Sequence, residues 1–386
     1  MKRFSVLVLI TFVALASSAW SQAVPQCRKH KIITFDVPGA GTGAGQGTFA
    51  YVIAPGGWIA GNYVDPSGVY RGFLRTPDGA ITKFDVPGMG MGTGQGAVAV
   101  WGINPGMQIA GHYLDPNNVN HGFLRTRHGK ITTFDVPGAG TDPGQGTNGE
   151  AINPAGVILG DYWDANNVLH GYLRAPDGTL TTFDAPDAGS GAGQGTYTAI
   201  FSGINPEGVT VGEYLDNNNI WHGYLRASDG TITEFDNPNA GTGVGQGTLS
   251  VGINPAGEIV GLYLDANNVF HGYLRAPDGS FTEVDAPGAG TGTYQGTSAC
   301  EFMACFGSIN PAGTVTDAYA DASNVVHGFL RTPDGKFTTF DAPGAGSGNY
   351  QGTQPTGINA EGAITGFYVD ANGVYHGFVR RDDSSR

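Results

Sequence analysis

The sequence predicts an all-β protein, a seven-bladed β-propeller built from four-stranded repeats of about 50 residues. Two signatures each recur seven times along the 386-residue chain: an aromatic residue or Val before Asp, and Gly followed by an aromatic residue, Leu or Val, and Arg. Short apolar runs alternate with turn residues such as Pro-Asp-Gly, and the 3.6-residue period of an amphipathic helix is missing. Four antiparallel strands per repeat are typical of a propeller blade.

The fifth unit illustrates the predicted strands. We expect strands at 248–253, 258–265, 269–275 and 280–285, separated by turn residues. Asn267 and Asn268 favour a hairpin between the second and third strands, because Asn tolerates positive φ. A Gly-rich loop at 286–296 then leads to the next unit.

The two ends of the chain predict a closed ring. A lone fourth strand is expected at 31–36, and the chain finishes after a third strand at 375–380. If the N-terminal strand completes the last blade, it closes the propeller and leaves no long edge exposed. Residues 24–386 would then form one domain, and a solenoid of stacked β units is the alternative.

Residues 1–23 are typical of a signal peptide. Lys2 and Arg3 precede an apolar run, and Ser21-Gln22-Ala23 fits a cleavage site. We therefore expect a secreted protein, periplasmic or extracellular. We expect no membrane span, because no apolar segment approaches the roughly 20 residues that a spanning helix needs.

Composition narrows the possible partners. The formal net charge is −14, which argues against nucleic acid, because phosphate binding requires basic patches. The Gly-rich loop at 38–43 and its counterparts lack the Lys-Ser/Thr and the helix of a phosphate site. We expect no cofactor and no metal, because the repeated His residues lie in different units and cannot converge on one ion.

Cys300 and Cys305 are close enough in sequence for a local disulfide if the compartment is oxidising. The third cysteine, Cys27, lies far from them in sequence, and no His cluster with ligand spacing surrounds the pair.

The repeated motifs resemble a known family. The His-Gly-Phe/Tyr-Leu-Arg run, preceded by Ile-Asn-x-x-Gly and Gly-x-Tyr-x-Asp, is similar to the HAF-type extracellular repeat of bacterial exported proteins, and the resemblance covers all seven units. It implies export and a repeat fold. It carries over no catalytic residue, since the family has no settled activity.

Strand registers estimated from the turns assign roles to the repeated positions. In the second unit they put Tyr113, Gly122 and Asp135 on one face, so that the Tyr hydroxyl would bond a buried Asp carboxylate. The Asp-x-Asn hairpins, as at Asp115, favour Asx turns over calcium loops. The Gln that precedes each first strand, as at Gln46, either binds a ligand or satisfies loop backbone groups.

Function is expected where the repeats differ. The variable positions at one mouth of the ring are Tyr51, Trp101, Glu150, Tyr197, Phe201 and Glu301. The second strand varies through Asn62, His112, Asp161 and Glu213. Aromatic rings mixed with carboxylates and amides are suited to sugars, which stack on rings and donate hydroxyl hydrogen bonds. The alternative is that Trp101 and Phe201 only plug the channel.

Three function classes follow. The first is a secreted binding module for carbohydrate or a cell-envelope surface, with Tyr51, Trp101, Tyr197, Phe201 and His112 as ligand-binding candidates. The second is an extracellular polysaccharide-cleaving enzyme, a hydrolase or lyase, with Glu150 and Glu301 as candidate catalytic acids. The third is a protein-interaction scaffold.

Overall fold

The computed structural model describes residues 30–298 and 307–382, which form β-strands and one 3-10 turn, Pro55–Gly57. The strands, in chain order, are β1 (His30–Phe35), β2 (Gly47–Ile53), β3 (Ile59–Val64), β4 (Tyr70–Arg75), β5 (Ile81–Phe84), β6 (Gly96–Ile103), β7 (Ile109–Leu114), β8 (Asn120–Arg125), β9 (Ile131–Phe134), β10 (Gly146–Ile152), β11 (Ile158–Trp163), β12 (Leu169–Arg174), β13 (Leu180–Phe183), β14 (Gly195–Thr198), β15 (Thr210–Leu215), β16 (Trp221–Arg226), β17 (Ile232–Phe235), β18 (Gly247–Ile253), β19 (Ile259–Leu264), β20 (Phe270–Arg275), β21 (Phe281–Glu283), β22 (Gly296–Thr297), β23 (Ser308–Ile309), β24 (Val315–Ala320), β25 (Val326–Arg331), β26 (Phe337–Phe340), β27 (Gly352–Ile358), β28 (Ile364–Val369) and β29 (Tyr375–Asp382).

The prediction of an all-β fold is confirmed, but the seven-bladed β-propeller is wrong. All 29 described strands belong to one hydrogen-bonded sheet, so the units are not separate four-stranded blades. Three strands from each of seven units, 21 in all, close into a mixed barrel. The first, second and third strands of a unit pair antiparallel, and the third strand then pairs parallel with the first strand of the next unit, as β12 does with β14. The eight remaining strands lie outside this barrel.

Glycine makes the parallel junctions possible. Each first strand begins with a Gly after Gln, and Gly195 pairs with Leu169 of the preceding unit. Gly195 has φ +120°, and a methyl group there would overlap the Leu169 carbonyl oxygen. The Leu169 N–H also donates to the carbonyl of Gln194 at 2.9 Å. The close backbone contact thus joins neighbouring units into one sheet.

The ring closes differently from the prediction. The N-terminal strand β1 does pair antiparallel with β29, from His30 opposite Asp382 to Phe35 opposite Gly377. It lies on the outer side of β29, however. Closure comes from the parallel pairing of Gly47 with Tyr375, which joins β2 to β29.

The core between units is a row of aromatic rings from the third strands. Each ring is almost fully buried and most contact the fourth-strand Phe of the preceding unit edge-on, as Phe134 contacts Tyr172 at 6.2 Å. An Arg guanidinium also lies over that Phe in most units, as Arg174 does over Phe134. The buried row is Phe73, Phe123, Tyr172, Tyr224, Tyr273, Phe329 and Phe378.

The predicted Tyr–Gly–Asp arrangement is wrong by one position. Tyr113 lies opposite His121, not Gly122, and Gly122 lies opposite both His112 and Phe134. The Gly122 position is filled by the Phe134 ring, which a methyl group there would overlap. Asp135 bonds the His121 ring through Nδ1 at 2.8 Å, and Tyr113 stacks on that ring.

Two repeated polar motifs have structural roles. The Asp115 carboxylate accepts the N–H groups of Asn117 and Val119, as the predicted Asx turn requires. The Gln side chains satisfy loop groups: Gln246 Oε1 accepts the Gly243 N–H, and its amide donates to Asn268 in the turn between β19 and β20. These contacts favour the structural alternative for Gln.

The Asp135→Ala substitution should cost little. The Asp135 side chain is 55% exposed, so the variant loses only a solvent-screened contact with His121. We expect the free energy of unfolding to fall by about 0.5–1 kcal/mol, measured by urea denaturation. A loss several times larger would instead support the buried carboxylate that the sequence predicted.

Candidate functional site

Four of the predicted ligand-binding residues pack against one another. Tyr51 stacks on Phe201 at 5.6 Å and meets the edge of Trp101 at 6.3 Å. Trp101 in turn meets His112 at 5.2 Å and Phe201 at 5.7 Å. Tyr51 and His112 are buried, and burial lowers the pKa of His112 to about 4. This aromatic cluster has the packing expected of a plug, and its role in ligand binding stays a prediction.

The fifth candidate, Tyr197 on β14, lies apart from that cluster. Its ring is edge-on to Trp163 on β11 at 6.0 Å and to Trp221 on β16 at 4.9 Å. Its hydroxyl donates to the carbonyl of Gly193 at 2.9 Å, which fixes the ring. Tyr197 and Trp163 form part of the wall of a cavity of about 190 Å³.

This cavity, called the acidic cavity below, lies among the third, fourth and fifth units. Three acids line it: Glu150 from β10, Asp161 from β11 and Glu213 from β15. Glu150 occurs where the pairing of β10 with β11 shifts register between Gly149 and Ala151. A bulge of this kind redirects a side chain, and Tyr51 occupies the same position of β2.

Asp161 is the fully bonded member of the three acids. Its Oδ1 accepts the Asn148 side-chain amide at 2.9 Å, and its Oδ2 accepts the N–H and the hydroxyl of Thr198 at 3.2 Å. Burial raises the pKa of Asp161 to about 6, although these bonds oppose the shift. The bonds hold Asn148 with its amide directed at Asp161.

Glu150 and Glu213 are less well satisfied. Glu150 is 3% exposed, and burial together with the nearby charges of Asp161 and Glu213 raises its pKa well above the usual range. Burial raises the pKa of Glu213 to about 8, against an opposing hydrogen bond from the Ser250 backbone. Among the described residues, Asn148 Oδ1, Glu150 Oε2 and Glu213 Oε2 are buried acceptors without a hydrogen-bond partner. A ligand that donates hydrogen bonds would satisfy them.

Sequence reasoning found only part of this site. Glu150 and Tyr197 were candidate residues, and Asp161 and Glu213 belonged to the variable second-strand positions. It missed Asn148 and Trp163. Each lies two residues from one of these acids, on β10 and β11, and residues two apart on a strand share a face, so this spacing could have revealed them. The predicted partner Glu301 and the disulfide candidates Cys300 and Cys305 lie outside the described residues, as does the signal peptide 1–23.

Two other clusters of charged side chains are weaker candidates. A second cavity surrounds Arg71, the residue that replaces His in the first unit, but Arg71 is bonded to both Asp65 and Asp85. Within residues 30–298 and 307–382, one His and two acids, His271, Glu283 and Asp285, have possible metal-ligand atoms within 4.8 Å of one another. Asp285 forms hydrogen bonds with both His271 and Glu283, and its bond with Glu283 raises the pKa of Glu283. These groups therefore already satisfy each other.

In the described part of the chain, no helix has the length and apolar character needed to cross a membrane.

Comparisons with known proteins find similarity only at the level of structure. No protein-family model and no curated protein matches the chain. A lectin from Burkholderia pseudomallei is similar, with a TM-score of 0.51 and 11% identity over 85% of this chain and 93% of the lectin. AofleA from Arthrobotrys oligospora has a TM-score of 0.46 and 14% identity, over 81% and 90% of the two chains. A puromycin hydrolase has a TM-score of 0.49 and 11% identity, over 86% of this chain and 50% of the hydrolase. The chain therefore shares its all-β fold with the Burkholderia lectin.

Proposed function

We propose that this protein is a secreted carbohydrate-binding module and that the acidic cavity is its binding site. The observation that carries this proposal is that Asn148, Glu150 and Glu213 all line one cavity, and each has a buried acceptor oxygen without a partner among the described residues. Sugar hydroxyls are donors that would satisfy such acceptors. A lectin of the same fold adds support.

The wall of the cavity fits a sugar ring. Trp163 and Tyr197 both line it, their rings meet edge-on, and the Tyr197 hydroxyl is held by its hydrogen bond to Gly193. Aromatic rings offer an apolar face for the C–H groups of a sugar, while the acids opposite would bond its hydroxyls. Export is proposed on the charged and apolar character of residues 1–23 and on the resemblance to the HAF-type repeat.

Tyr197→Ala should weaken glycan binding. The variant removes one aromatic wall, and we expect the dissociation constant for a retained polysaccharide to rise at least about tenfold. The measurement is affinity electrophoresis through gels that contain soluble polysaccharides, using the full chain. Retention of Tyr197→Ala equal to that of the wild type would place binding elsewhere, and no retention of either protein by any polysaccharide would overturn the proposed function.

Tyr294→Gly is the matched control. Tyr294 is an exposed aromatic residue, 54% accessible, in a loop away from the residues that line the cavity. It has φ +60°, and five of the six equivalent positions in other units are glycines, such as Gly193 and Gly245. The substitution should therefore preserve the fold, and we expect unchanged retention.

Glycan cleavage is the second candidate. Glu150 and Glu213 share one cavity, and the raised pKa of Glu213, about 8, keeps a proton on a carboxyl group at neutral pH, as a general acid requires. Size-exclusion chromatography with mass detection separates the two functions. A polymer that falls in mass would indicate cleavage, and protein that co-elutes with intact polymer would indicate binding.

A further inference from the structure

The acidic cavity brings acidic side chains together without a basic one. Of the described residues that line it, Glu150, Asp161 and Glu213 are acids, and none is Lys, Arg or His. A buried carboxylate is costly unless a positive charge or enough hydrogen-bond donors compensate it. Asp161 has such donors in Asn148 and Thr198. The other two acids lack a cation among the described lining residues.

The unsatisfied groups are acceptors on two strands, β10 and β15. Only 3% of the Glu150 surface is exposed, and its Oε2 has no hydrogen-bond partner in the described structure. Glu213 Oε2 and Asn148 Oδ1 are likewise buried and unpartnered. A neutral hydroxyl donates one hydrogen bond, whereas an ammonium group donates three and carries a positive charge. An ammonium group therefore matches this cavity better than a hydroxyl does.

The aromatic wall fits the same ligand. Trp163 and Tyr197 line the cavity together with the acids. Tryptophan and tyrosine rings attract cations through their faces and also pack against the apolar face of a sugar. A sugar that carries a free amine would use both properties at once.

We propose, building on the carbohydrate-binding function above, that the acidic cavity selects amino sugars with a free amine, whose ammonium group lies between Glu150 and Glu213 and within hydrogen-bonding reach of Asn148. An N-acetylated amino sugar is neutral and bulkier at nitrogen, so it offers the two carboxyl groups no positive charge to pair with.

Proton release should accompany binding. Burial raises the pKa of Glu150 and brings that of Glu213 to about 8, so Glu213 holds a proton in the empty cavity near neutral pH. An ammonium group would lower those pKa values and displace protons to the solvent. A neutral sugar would leave the protons in place.

Isothermal titration calorimetry with two oligosaccharides tests the proposal. The full chain is titrated at about pH 6 with the β-1,4-linked glucosamine tetramer and with its fully N-acetylated counterpart, in two buffers of different ionisation enthalpy. We expect at least about 20-fold tighter binding of the glucosamine tetramer, with proton release only for that ligand. We also expect its affinity to fall with added salt.

Glu150→Gln and Glu213→Gln should each reduce this preference at least about fivefold, because Gln keeps the size but not the charge. Thermal melting of both variants confirms that they fold. If one does not fold, the other variant, the proton release and the salt dependence of the wild type still decide the question.

The outcomes separate this inference from the proposed function. Equal or tighter binding of the N-acetylated tetramer would overturn the amine preference and leave carbohydrate binding in place. Failure of both tetramers, with retention by another polysaccharide, would do the same. Failure of every glycan tested would overturn both proposals.

Discussion

Gly195→Ala should lower the free energy of unfolding by about 4 kcal/mol or more. Gly195 has φ +120°, which side chains rarely adopt, and the added methyl group would overlap the carbonyl oxygen of Leu169. Relief of that overlap would separate β12 from β14 and break the 2.9 Å bond from the Leu169 N–H to Gln194. Urea denaturation measures the loss.

Gly193→Ala is the matched control for this junction. Gly193 also has positive φ, +82°, but nothing lies within 4 Å of an added methyl group. We expect a loss of about 1 kcal/mol, from the backbone conformation alone. Equal losses in the two variants would contradict the role of Gly195 in joining neighbouring units.

The sequence predicted the local structure of each unit well. Turn chemistry placed the hairpin at Asn267 and Asn268, and Asn268 indeed has positive φ, 59°. The strands expected at 269–275 and 258–265 contain β20 and β19. These elements depend on neighbours in sequence, which is why residue type and spacing are sufficient to find them.

The contacts between units were not predictable in the same way. The Gly of each Gln-Gly pair was expected to be a loop residue. In the structure it pairs in parallel with a strand more than 20 residues earlier, as Gly195 does with Leu169. That role becomes visible only when a Cβ is placed on this Gly and found to overlap the backbone of the neighbouring strand. The error turned a continuous sheet into separate blades.

Register explains the errors within the site. The estimated pairing of Tyr113 with Gly122 was one residue off, and a one-residue shift moves side chains to the opposite face. In the structure the residue opposite the repeated Gly is the one before Tyr. That row is polar in four consecutive units and apolar in the other three: Asn62, His112, Asp161, Glu213, Leu262, Ala318 and Phe367.

The polar part of this row explains where the acidic cavity forms. Asp161 and Glu213 are its third and fourth members, and they meet Glu150, which the bulge of β10 directs into the cavity. Variation between repeats pointed to strands that line this cavity. The bulge and the register, which bring the three acids together, required the structure.

Thermal stability should fall between about pH 5 and pH 8 because of Glu213. Burial raises the folded-state pKa of this carboxyl group to about 8, above its ordinary value of 4.5 in an unfolded chain. Its contribution to stability is complete below pH 4.5 and is lost as the pH rises through 8, because the unfolded chain ionises first. The expected loss is about 3 kcal/mol, or roughly 4 °C in the melting temperature. The raised pKa values of Glu150 and Asp161 act in the same direction.

Glu213→Gln isolates the effect of this one group. The variant cannot ionise, so we expect a shallower decline of melting temperature with pH and a higher melting temperature than the wild type at pH 8. Glu207→Gln, at an exposed turn of the same unit, should leave the pH profile unchanged. A Glu213→Gln profile parallel to that of the wild type would show that the Glu213 carboxyl ionises as freely in the folded chain as in the unfolded one. Saturating glucosamine tetramer should flatten the wild-type profile as well, since a bound ammonium group would stabilise the ionised carboxylate that burial otherwise disfavours.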